Sequence, residues 1–89
     1  MADDKKQEET INQIKQQIDL LLNDNSVPRN VKNALDEAKK ALTQNSVSYS
    51  EKSSTATYKL DEISNDINLT PYARTMIWNI LGLLESIKD

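Results

Sequence analysis

The stretch NDINLTPYARTMIWNILGLLESI, residues 65–87, carries the clearest structural punctuation in the chain. Asn65-Asp66 favours a turn. Thr70 followed by Pro71 then reads as a helix start, with a hydroxyl at the N-cap and a proline at the first helical position. Beyond it, Ala73, Met76, Ile77, Ile80, Leu81, Leu84 and Ile87 recur at helical spacing, and Leu83 widens that face. So broad an apolar face predicts that this fourth helix is the most central.

The same grammar occurs earlier, at NDNSVPRNVKNALDEAKKAL, residues 23–42. An Asn-Asp turn is again followed by a proline and a helical stripe, here Val31, Ala34, Leu35, Ala38, Ala41 and Leu42. Ser26 is the expected N-cap and Pro28 falls in the first turn. Three alanines in that stripe predict a close approach to a neighbouring helix. Lys32, Asp36 and Lys40 lie four apart as a solvated charge ladder.

Each of these helices is preceded by another. Ile11, Ile14, Ile18, Leu21 and Leu22 form the stripe of the first. The third starts at a capping box, Ser48 to Glu51, and carries Ser53, Ala56, Thr57, Leu60, Ile63, Ser64 and Ile67 on its stripe. Small hydroxyl residues lower its helix propensity, so it is expected to be the least stable element. Each half therefore reads helix, Asn-Asp turn, proline-started helix, with a period of roughly 42 residues, a length typical of helical-hairpin repeats. Two such units are too few for a solenoid and are expected to close on each other. The predicted fold is all-α: one domain over residues 1–89, a compact antiparallel four-helix bundle of two related helical hairpins.

The stretch from Leu60 to Ile87, together with Leu-Asn-Asp-Asn-Ser-Val-Pro-Arg-Asn-Val at 22–31, resembles a small family of archaeal proteins known only as an uncharacterised protein family. The resemblance spans nearly the whole chain. It is strongest from Asp-Glu-Ile-Ser-Asn-Asp through Arg-Thr-Met-Ile-Trp-Asn-Ile-Leu. It implies an archaeal, cytosolic, all-helical protein with no assigned activity. The chain departs from the family pattern at Ser53, Thr55, Thr57 and Tyr58, where the family is richer in alanine, and at Ile67, where a proline often follows Asn-Asp. Both departures bear on local packing.

Composition narrows the function. Cysteine and histidine are absent, which removes disulfides, thiolate chemistry, imidazole bases and every His or Cys metal site. A single glycine, Gly82, cannot build a phosphate-binding loop. Eleven basic residues against fourteen acidic ones give a net charge of −3, and the basic residues are scattered. Nucleic acid and anionic membrane surfaces are thereby disfavoured, since both need a basic patch. Tyr49, Tyr58, Tyr72 and Trp78 could stack on bases, yet no Lys or Arg stripe accompanies them. No apolar run reaches the ~18 residues of a membrane span, and no signal-peptide pattern opens the chain, so a cytoplasmic location is expected.

Three constellations remain. Arg74, Trp78 and Gly82 lie four apart along one side of the fourth helix, where the guanidinium could rest on the indole and the glycine leaves a notch for a partner helix. Glycine costs about 1 kcal/mol against alanine in a helix interior, which points to close packing there. Two readings stay open: a contact surface for a partner protein or a second copy, or a helix buried on nearly every side with Trp78 inside its own bundle. Leu20, opposite the first helix's stripe, is ambiguous in the same way.

Second, Arg29 and Arg74 each follow a proline that starts a helix, and Asp24 and Asp66 stand in the turns before them. Charge-assisted pairs pinning the hairpin corners are expected; anion binding at the fourth helix's start is the alternative. Third, Asp61, Glu62 and Asp66 cluster as carboxylates. They could hold a divalent cation or act as acid and base, but an ordinary solvated acidic face accounts for them. With no nucleophile–base set, no catalytic residue, metal site or cofactor is assigned, and a small-molecule ligand is disfavoured. The sequence points to a non-enzymatic interaction or assembly module contacting its partner through Arg74, Trp78 and Gly82.

Overall fold

The computed structural model describes residues 2–88; Met1 and Asp89, the ends of the expected domain, lie outside the described residues. Four helices follow one another: α1 (Ala2–Leu22), α2 (Arg29–Thr43), α3 (Tyr49–Asp61) and α4 (Pro71–Glu85). No strand occurs among the described residues. Each helix packs on its two neighbours in a ring, α1 on α2, α2 on α3, α3 on α4 and α4 on α1. With short connections this is an antiparallel up-down-up-down bundle, 41 × 19 × 18 Å with a radius of gyration of 12.5 Å.

The two hairpins superimpose in sequence at a spacing of 42 residues, which the corner hydrogen bonds make plain. At the first corner the amide of Ser26 donates to Asp24 Oδ1 at 2.9 Å and that of Val27 to the Asp24 carbonyl at 3.2 Å. At the second, the amide of Asn68 donates to Asp66 Oδ1 at 2.8 Å and that of Leu69 to the Asp66 carbonyl at 3.2 Å. Val27 and Leu69 are both buried and anchor the two corners in the core.

This register corrects several expectations. Ser26 does not cap α2: its amide and hydroxyl both turn back to Asp24 Oδ1, the hydroxyl at 2.7 Å. Pro28 holds the N-cap position instead and has no side-chain acceptor to offer. The equivalent position in the second half is Thr70, whose Oγ1 accepts from the amide of Ala73 at 3.1 Å as expected. The two prolines are thus one position out of step, Pro28 at an N-cap and Pro71 at a first helical residue.

The third helix also ends sooner than its stripe implied. Its start agrees, with Ser48 Oγ accepting from the Glu51 amide at 3.2 Å. After Asp61, tightened turns take over, with Ile63 N bonded to the Leu60 carbonyl and Ser64 N to that of Asp61. Ile67 therefore leaves the stripe and is 90% exposed. It occupies the tip of the Asp66–Asn68 turn, the place of Asn25 in the first corner.

Large and small residues are distributed unequally over the repeat. Ile11, Ile14 and Ile18 on α1 correspond to Ser53, Ala56 and Leu60 on α3, while Ala38 on α2 corresponds to Ile80 on α4; all are buried. At three of these four pairs the smaller side chain, Ser53, Ala56 or Ala38, falls on α2 or α3, although the buried pair Val31 and Ala73 runs the other way. As the alanine stripe predicts, α2 and α3 form the most extensive contact in the bundle. Ser53 faces α4 instead: its hydroxyl donates to the Leu84 carbonyl at 2.7 Å and satisfies an end of that helix. Lys39–Asp19 at 2.6 Å and Lys59–Glu37 at 3.3 Å bridge neighbouring helices, and Lys40–Asp36 at 3.1 Å closes part of the charge ladder. Such exposed pairs add little stability.

Candidate functional site on the fourth helix

The helix expected to be most central is not enclosed. Its core stripe, Ala73, Ile77, Ile80 and Leu84, is buried. One flank leans on α1, where Asn79 Nδ2 donates to Gln17 Oε1 at 3.0 Å. The other leans toward α3: Arg74 reaches the carbonyl of Asp66 just beyond that helix, and Glu85 lines a groove against it. Trp78 lies on this α3-side flank and is 56% exposed, so it is not packed inside its own bundle.

Arg74, Trp78, Leu81 and Glu85 share that flank at spacings of four, three and four residues, one line along a helix. Trp78 is exposed, Leu81 is half-buried and packs against the core, and Glu85 is exposed. Gly82 follows one turn after Trp78, and a Cβ added there meets nothing within 4 Å among the described residues. The glycine is therefore not required by packing within the bundle. Gly82→Ala is expected to stabilise the isolated chain by about 0.5–1 kcal/mol, read as a higher urea midpoint at unchanged slope. A loss of stability would place a hidden neighbour against that position.

Arg74 does not stack on the tryptophan. Its Nη2 donates to the Asp66 main-chain carbonyl at 3.0 Å, and its Nε is buried without a hydrogen-bond partner. The described cation–ring contact lies elsewhere, with Lys52 Nζ 5.0 Å from the centre of the Tyr49 ring. The corner pairs are likewise rearranged. The Asp66 carboxylate accepts from Asn30 Nδ2 at 2.8 Å and from the Asn68 amide, so it ties the two corners together instead of meeting an arginine. These bonds, the Asn30 bond foremost, hold its carboxyl below the usual carboxylate range, with Arg74 a smaller influence. Asp24 is lowered in the same way by the Ser26 hydroxyl and amide, while Arg29 is exposed.

Asp61 and Glu62 are exposed and do not converge with Asp66; among the described residues no group of three acidic side chains is disposed to hold a cation. Beside Trp78's flank, an open groove of about 450 Å³ runs between α3 and the end of α4, lined by Ser54, Thr57, Tyr58, Asp61, Leu84 and Glu85 among others. Tyr58, 65% exposed, adds a second aromatic ring on this side of the bundle. Tyr72 and Leu20 are exposed as well; Tyr72 lies on the flank of α4 turned toward α1.

Two features escaped the sequence reading. Lys52 is only 6% exposed: its stem lies along the core while its ammonium sits over Tyr49. The Tyr49 hydroxyl donates to Glu8 Oε2 at 2.6 Å, and that bond leads the effects that push the phenol up to about 12. A lysine four residues after a capping serine carries no sequence signal of burial.

A family model described as an uncharacterised protein family, UPF0147, matches residues 1–87. The chain belongs to this family. A UPF0147 protein of Methanothermobacter thermautotrophicus is 41% identical over 81 residues, 91% of this chain and 79% of that protein. Another from Methanocaldococcus jannaschii is 39% identical over 87 residues, covering 98% and 94%. A third from Metallosphaera sedula is 44% identical over 79 residues, covering 85% and 89%. The crystal structure of a protein of unknown function, MMP1188, superimposes with a TM-score of 0.85 at 38% identity, over 90% of this chain and 91% of that one. These UPF0147 relatives are archaeal, as the resemblance implied. No described helix is long and apolar enough to cross a membrane.

Proposed function

We propose that this UPF0147 protein is a non-enzymatic interaction or assembly module of the cytoplasm, and that the α3-side flank of α4 is its contact surface. The observation that carries this reading is Trp78. A tryptophan 56% exposed on an otherwise well-packed helix leaves a large apolar ring in water. Tryptophan is the residue most often found at the energetic centre of interfaces, and half-buried Leu81 and exposed Tyr58 lie on the same side. Gly82 supports the same reading, since it costs helix stability and has no neighbour within the bundle to justify it. Arg74 belongs to the surface only at its edge, because it also clamps the second corner.

The test is affinity capture from native archaeal cytosol with three baits: the wild type, Trp78→Ala and Leu20→Ala. Any protein retained is then purified and its binding titrated directly. The proposal expects binding that Trp78→Ala weakens at least tenfold and Leu20→Ala leaves unchanged. Binding that survives Trp78→Ala would move the contact surface away from α4.

A further inference from the structure

The flank is complementary to itself. Along one line of α4 it runs Arg74, Trp78, Leu81, Glu85, at the 4-3-4 spacing of a helix–helix seam. A cation stands at its beginning, two apolar side chains in the middle, and an anion at its end. Turned about a point between Asn79 and Ile80, the line maps onto itself: Trp78 falls opposite Leu81, and Arg74 opposite Glu85. A two-fold interface requires a face that is complementary to itself in this way. The helix dipole acts in the same sense, since the positive end of α4 carries Arg74 and the negative end lies by Glu85.

We propose that α4 pairs antiparallel with α4 of a second copy of this chain, across a two-fold axis at Asn79–Ile80. The occupant of the exposed flank is thus identified by its chemistry, an inference that rests on the reading of this flank as a contact surface. Trp78 packs on the partner's Leu81, and the indole overhangs the partner's Gly82, where the absence of any atom within 4 Å of a Cβ leaves room for it. Arg74 keeps its bond to the Asp66 carbonyl and faces the partner's Glu85 at the rim. There such pairs set orientation more than affinity. A parallel arrangement would set Arg74 on Arg74 and Glu85 on Glu85, and the like charges oppose it. The seam spans three helical turns and has two large apolar side chains per copy, so the interface belongs to the small, reversible class.

Sedimentation equilibrium between low micromolar and millimolar protein tests the pairing, with small-angle scattering as the measure of shape. The radius of gyration is 12.5 Å for the single chain. Side-by-side pairing raises it to roughly 16 Å. Four variants accompany the wild type: Trp78→Ala, Gly82→Gln, Glu85→Arg and Leu20→Ala. Circular dichroism confirms that each remains folded. The expected result is a reversible dimer that the first three variants each weaken at least tenfold. Gly82→Gln does so by filling the notch with a good helix former, and Glu85→Arg by opposing Arg74. Leu20→Ala leaves the dimer unchanged. A wild type that stays monomeric to millimolar concentration overturns the pairing, as does a dimer indifferent to Trp78→Ala and Glu85→Arg. The reading of the flank as a contact surface fails separately: it survives a monomeric wild type if a purified heterologous partner still requires Trp78, and falls if no association of any kind does.

Discussion

Ile77→Ala lowers the stability of the chain by about 2–5 kcal/mol, while Trp78→Ala, one residue along, changes it by less than about 1 kcal/mol. The two side chains leave α4 in different directions. Ile77 is fully buried in the core shared by all four helices, and truncating it removes apolar contacts and leaves a cavity. A domain of this size has only about 5–15 kcal/mol to lose. The expected fall in melting temperature is therefore roughly 10 °C or more. Trp78 keeps 56% of its surface in water, so its removal takes little from the fold. Urea unfolding of both variants, at protein concentrations well below any self-association, gives the comparison. An effect of Trp78→Ala as large as that of Ile77→Ala would mean that the indole belongs to the core.

The second large effect is at the seam of α2 and α3. Ala38→Leu is expected to cost about 1–3 kcal/mol, although it adds apolar surface to a helix and improves nothing in the sequence pattern. Ala38 is fully buried, and so is Ala56 on the facing helix. Both belong to the two helices that make the most extensive contact in the bundle. Three additional heavy atoms have to push the helices apart or take strained rotamers. In the second half of the repeat the equivalent residue is Ile80, which is also buried but belongs to the bulkier α4 side. A neutral result in urea unfolding would show slack between α2 and α3.

The stripes of α1, α2 and α4 were legible in the sequence because apolar side chains recur at the helical period and each is bounded by turn residues. The pairing of two hairpins was legible for the same reason. What misled at the first corner was Ser26 standing two residues before Pro28, which reads as a helix cap with a proline in the first turn. Pro28 and Pro71 are the conspicuous residues, but the register is set by what is buried, Val27 with Leu69, and by the aspartates whose carboxylates fold the turns. Once those are matched, Ser26 belongs to a turn and Ile67 to a loop tip. The periodic placement of Ile67 looked like one more turn of helix because spacing alone does not reveal where i→i+3 bonds tighten a helix end.

The site was only partly legible. The sequence singled out Trp78 and Gly82, yet an off-stripe tryptophan is compatible with burial until the neighbours are placed. Here α3 and α1 flank α4 without covering it. Arg74 was expected to meet a carboxylate or the indole. It meets a main-chain carbonyl instead, because the Asp66 carboxylate is taken by Asn30 from the other hairpin, a contact 36 residues away in sequence. Such a competition between partners has no local signature. Lys52, buried over Tyr49 one turn earlier on the same helix, was missed for another reason: nothing in the sequence marks that lysine for burial.

Trp78 is the sole tryptophan of the chain, so indole emission, excited beyond the absorption of the three tyrosines, reports on the contact surface. The direct measurement is emission and acrylamide quenching as a function of protein concentration. The account predicts a red-shifted, readily quenched, water-exposed indole in dilute solution. It predicts a blue shift and loss of quenching as copies associate, with a midpoint that matches the mass measured by sedimentation. Emission that is blue and protected at every dilution, or that stays red while the mass doubles, would contradict it.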